Sequence, residues 1–130
     1  MTIDLHVLLN SGSDIEVIRS VVGRMVGSLL EPAKNGNGAV VANALCIDWV
    51  LYGNHNVEDD NGIEFTKFAH VLKLDPLNAG PNLATYDVMY EKAALFMAYI
   101  LSHQLGCRTL VVRGLVRKVA AYDNGREEAI

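Results

Sequence analysis

The chain has 130 residues, 51% of them hydrophobic and 20% charged, a composition that suits one packed domain over 1–130 and excludes an intrinsically disordered chain. Eleven Lys and Arg against fifteen Asp and Glu give a net charge of −4, the wrong sign for a surface that grips phosphates, so nucleic acid is not expected as a direct partner. The first residues lack the basic, apolar and small-residue blocks of a secretory leader, and the most apolar run, 93–101, is nine residues long, about half of a membrane span; a cytoplasmic protein with no membrane contact is expected.

Ile3, Leu5, Val7 and Leu9 alternate with Asp4, His6, Leu8 and Asn10, the period of a strand. Ser13 and Glu16 have capping-box spacing, which predicts a helix from near Asp14 to Pro32. Ile15, Ile18, Val22, Met25, Val26 and Leu29 form its apolar stripe. A second line, Glu16, Ser20, Gly23 and Gly27, would let another backbone approach closely. The segment 32–38 reads as a loop on its Pro, Gly and Asn content. Alternation of Leu45, Ile47, Trp49 and Leu51 with Cys46, Asp48, Val50 and Tyr52 predicts a second strand, and 65–74 a third, joined across the polar stretch 54–62.

Thr85 is the expected cap of a helix whose apolar residues fall on nearly every face from Tyr86 to Leu105; Leu95, Phe96, Tyr99 and Ile100 are taken as core, and Gly106 as the C-cap. One or two strands follow, at 109–112 and 116–122, and the polar tail from about 123 is expected to fray. The predicted fold is therefore α+β with the order β-α-β-β-α-β, the ferredoxin-like arrangement of a sheet covered on one face by two helices, with an optional extra C-terminal strand. In such an arrangement the other sheet face is free for a partner or for a second copy of the chain, a homo-oligomer.

The densest polar segment is 54–64, with four carboxylates, one imidazole and three amides in eleven residues. It is not an EF-hand: with Gly62 at loop position 6, the ligand positions 1 and 12 fall on Val57 and Phe68. No metal or cofactor site is expected. His55 with Glu58 or Asp59 could form a base and its orienting carboxylate, but no nucleophile is placed beside them. Asn10, Ser11, Gly12, Ser13 and Asp14 precede a helix as a phosphate loop would, yet the Gly-Lys signature is missing and the acids at 14 and 16 repel anions. Cys46 and Cys107, sixty-one positions apart, read as two buried reduced thiols. Charge is polarised along the chain: 48–75 carries an excess of four negatives and 108–118 an excess of four positives. These blocks either neutralise one another or leave the acidic segment facing a basic partner.

The residues 46–52 (Cys-Ile-Asp-Trp-Val-Leu-Tyr), the acidic Glu58-Asp59-Asp60, then Phe65-Thr66-Lys67-Phe68 and Leu72-Lys73-Leu74-Asp75-Pro76 before the apolar helix give the chain a layout that resembles the immunity proteins of bacterial polymorphic toxins, including those of contact-dependent growth inhibition. That resemblance implies a non-enzymatic protein that neutralises a toxin domain, often a basic nuclease, by stoichiometric protein–protein binding. Charge and expected exposure then select Asp48, Trp49, Tyr52, His55, Glu58, Asp59, Asp60 and Glu64 as partner-binding residues, with no catalytic residue. The other readings are a small enzyme or ligand-binding domain with a cleft near His55, and a structural homo-oligomer.

Overall fold

The computed structural model describes residues 4–30, 47–56, 58–76 and 83–130. In chain order the elements are β1 (Leu5–Leu9), α1 (Ile15–Leu30), β2 (Ile47–Gly53), a single 3-10 turn (Phe65–Lys67), β3 (His70–Pro76), α2 (Leu83–Leu105), β4 (Arg108–Arg113), β5 (Arg117–Asp123) and β6 (Arg126–Glu128). The strands form one sheet in the order β2-β3-β1-β4-β5-β6, with every neighbouring pair antiparallel. The α+β class is thus as the sequence predicts. The six-strand order differs from a four-stranded ferredoxin-like sheet, because β5 and β6 lengthen one side.

Strand β1 lies inside the sheet, paired with β3 on one side and β4 on the other, and all five of its residues are buried. Its alternation separates two cores. Leu5, Val7 and Leu9 join Leu51, Leu72, Leu74 and Val111 under the helices, against Ile18, Val22 and Met25 of α1 and Ala94, Met97, Ala98 and Leu101 of α2. Leu8 faces the other way, with Val71, Leu110, Val112 and Ala121, and meets Ile63, Phe65 and Phe68 from the β2–β3 connection. That second cluster corrects the expectation of a free sheet face: the connection folds back and covers part of it.

Several local expectations also change. The cap of α1 is Asp14 and not Ser13, since the Asp14 carboxylate accepts the Glu16 N–H at 2.8 Å; a carboxylate competes well for a helix N-terminus, where amide dipoles favour negative charge. Among the described residues nothing lies within 4 Å of a Cβ placed on Gly23, so the close backbone approach expected there is not made by any of them. Helix α2 begins at Leu83, ahead of the expected cap Thr85. The predicted third strand starts only at His70, because residues 65–67 make the 3-10 turn. Cys107 is a buried free thiol, with its pKa pushed by burial from 9.0 up to about 11; Cys46 and the loop 32–38 lie outside the described residues.

Gly106 does end α2: its φ is 58°, and the Cys107 N–H reaches back to the Ser102 carbonyl at 3.0 Å, as a Schellman cap requires. The segment expected to fray is held instead. Asn124 and Gly125, with φ of 51° and 81°, make the two-residue hairpin turn between β5 and β6 that two positive φ angles permit. Ser102 Oγ accepts the Gly125 N–H at 2.9 Å, and Arg108 on β4 pairs with Glu128 on β6 at 3.0 Å. On α2, Phe96 and Tyr99 are 49% and 42% exposed, which corrects their assignment to the core; Leu95 and Ile100 pack partly against it. No helix among the described residues is long and apolar enough to cross a membrane.

Candidate functional site: an acidic clip on the sheet

The connection from β2 to β3 carries most of the predicted site residues, and its inner side explains how they are held. Asn54 follows β2 directly. Its side-chain amide donates to the carbonyls of Phe65 and Phe68, both at 2.8 Å; its carbonyl oxygen accepts the Asn56 N–H at 3.1 Å; its backbone N–H donates to Ala69 at 2.9 Å. One half-buried residue thus closes the connection at its base. Ile63, Phe65 and Phe68 then drive its apolar side onto the sheet, where they are 0%, 4% and 3% exposed.

The outer side is shaped by a second device. Asp60 and Ile63 exchange backbone hydrogen bonds of 3.1 and 2.8 Å across Asn61 and Gly62, whose φ angles are 53° and 74°, the conformation of a type I′ turn. Asp60 Oδ1 also accepts the Asn61 N–H at 2.9 Å. Asp59 Oδ1 accepts from the Thr66 backbone N–H at 3.1 Å and the Thr66 hydroxyl at 2.8 Å. The amide first and the hydroxyl second hold the Asp59 carboxyl below the ordinary carboxylate range, so it is ionised throughout the neutral range. The acidic residues therefore sit on a pinned clip rather than on a slack loop.

Of the eight predicted residues, His55, Glu58, Asp59 and Asp60 come together, lining with Asn56, Phe65 and Leu115 an open groove of about 550 Å³. Glu64 is exposed and ion-paired to Lys67 three residues on, outside that lining. Tyr52 points to the same sheet face and packs against the clip's apolar cluster; burial raises its phenol pKa above the ordinary 10.0. Asp48, four residues before Tyr52 in the same strand, shares that face, is exposed, and its carboxylate accepts the Trp49 N–H at 3.0 Å. Trp49 belongs elsewhere: it packs on the helix-side core, so it and Tyr52 do not form one aromatic contact surface.

Two bases of the basic segment are engaged away from the clip's carboxylates. Arg108 pairs with Glu128 and Arg113 with Glu91, at 3.0 and 3.2 Å, while the Arg108 guanidinium also lies 5.9 Å from the centre of the Phe68 ring. Lys73 on the same sheet face bridges Asp4 and Asp75 at 3.5 and 3.6 Å. Among the described residues, Asp48, Glu58, Asp59 and Asp60 have no ion-pair partner.

The groove does not assemble an acid–base pair: among the described residues no hydrogen bond or ion pair joins His55 to a carboxylate. No group of three His, Cys, Asp or Glu is placed to hold a metal among the described residues. Asn54, Asn56, Phe65, Thr66 and Leu115 contribute without being among the predicted site residues. Asn54 works through its amide, and an Asn after a strand gives no sequence clue to which carbonyls it will reach. Leu115 enters from the β4–β5 turn with φ of 60°, an unusual conformation for a leucine. No family model, no curated protein and no solved structure matches this chain.

Proposed function

We propose that the chain is a non-enzymatic binding protein of the immunity type, which holds a basic protein domain, such as a toxin nuclease, against the acidic clip. The observation that carries this reading is the two-sided clip: Asn54 and the buried Ile63, Phe65 and Phe68 fix its inner side, while Glu58, Asp59 and Asp60 stand exposed on its outer side, without an ion-pair partner among the described residues. The Asp59 and Asp60 carboxylates, already held by N–H and hydroxyl donors, lose little conformational entropy on binding. Unpaired carboxylates also steer a basic partner and set its register. Glu58, Asp59, Asp60, His55 and Asn56 are the proposed contacts, with Asp48 and Tyr52 on the adjoining sheet face. Within the sheet, we read β2-β3-β1-β4 with α1 and α2 as a ferredoxin-like unit, and β5 with β6 as a hairpin appended to it.

The test replaces charge while keeping shape. In the triple variant Glu58→Gln, Asp59→Asn, Asp60→Asn every side-chain oxygen that accepts a clip hydrogen bond has a counterpart. A toxin domain encoded beside this chain should bind the parent one to one and be silenced by equimolar protein. The triple variant should fold normally, bind at least tenfold more weakly, and lose most of the salt dependence of binding. Equal binding by parent and variant would remove the clip from the interface. A chain that binds no neighbouring toxin would remove the immunity reading itself.

The groove favours one second reading, a small-ligand site beside His55, since about 550 Å³ lies within the size range of ligand pockets. Its openness to solvent and its charged lining argue against it. Turnover or ligand binding by the purified chain alone, abolished by His55→Ala, would make this the better reading.

A further inference from the structure

We draw no further inference here: the strongest candidate, the exposed apolar groove between α2 and β5 lined by Lys92, Leu95, Phe96, Tyr99 and Tyr122, carries nothing because no feature of the structure shows what covers it.

Discussion

Tyr90 offers the sharpest test of how the sheet is held to its helices. The side chain comes from α2 and is 0% exposed. Its hydroxyl accepts the Leu5 N–H at 2.8 Å and donates to the Leu74 carbonyl. Leu5 and Leu74 are partners in the β1–β3 register, so a helix side chain bridges two backbones at the end of their ladder. Tyr90→Phe keeps the ring and deletes that bridge. Two hydrogen bonds are lost at about 1 kcal/mol each, and the buried Leu5 N–H or Leu74 carbonyl is left to bear a desolvation cost of about 1–3 kcal/mol. Partial recovery by direct contact between the strands reduces the sum, so the expected loss is about 2–4 kcal/mol. At roughly 3–5 °C per kcal/mol for a chain of this size, Tm should fall by about 6–20 °C. Denaturant titration followed by Trp49 fluorescence should show a lower midpoint with an unchanged slope. A Tm within about 2 °C of the parent would show that the strands close the gap by themselves and that the hydroxyl is no latch. Alkali gives a second readout. Burial raises the Tyr90 phenol pKa well above 10.0, so above pH 10 the unfolded chain releases a proton that the native chain keeps. Stability must then fall as pH rises past 10, and Tyr90→Phe should flatten that part of the curve.

Asn54→Ala should destabilise by about 1–3 kcal/mol, because the carbonyls of Phe65 and Phe68 lose their donor; in hydrogen exchange, residues 54–68 should lose protection while β4 keeps it, and uniform loss across the chain would contradict a local clip. Burial first and Lys73 second lower the pKa of His6 below 6.5. Below pH 6.5 the unfolded chain therefore binds a proton that native His6 resists, and stability should fall as pH drops from 6.5 toward the native value. His6→Val should lessen that fall in denaturant melts at pH 7, 6 and 5, and an unchanged acid limb would place its origin elsewhere. Phe96→Ala should cost about 1 kcal/mol, well below the ~3–5 kcal/mol of an emptied aromatic core site, whereas Leu101→Ala should cost about 2–5 kcal/mol; equal losses on thermal melting would mean that Phe96 is buried in solution.

Periodicity read the elements that have one clear inside. α1 and β2 repeat apolar residues with the period of their own backbone, and the structure places them where those repeats fall; β1 and β4, buried on both faces, were legible as short apolar runs instead. Periodicity failed where the apolar residues carry no single period or where a turn sets their spacing. In α2 every face carries apolar residues, so the pattern could not tell Tyr90 and Met97, inside, from Phe96 and Tyr99, outside. In 65–68 the apolar residues look like the start of a strand, yet Phe65 and Phe68 share a side three positions apart because a 3-10 turn brings them there. The strand pattern could not reveal that they cover a sheet face instead of extending it.

The clip shows why the candidate site was half legible. Its charges were visible as composition, and composition says only that such residues favour water. What makes them a surface rather than a solvated loop is the chemistry between them: the Asn61-Gly62 turn, the Thr66 donors and the Asn54 amide. The turn had a local signal, because Asn-Gly readily supplies the two positive φ angles of a type I′ hairpin, and the same dipeptide at 124–125 turned an expected loose tail into β6. Asn54 had no such signal, since its partners lie eleven and fourteen residues away. At both Asn-Gly sites polarity shows only an attraction to water, whereas the fold depends on the backbone conformations those residues stabilise. The described residues 54–56 and 58–68 form a folded element, with buried Phe65 and Phe68 beneath and the held carboxylates of Asp59 and Asp60 above, and that is the property a charge-steered interface needs.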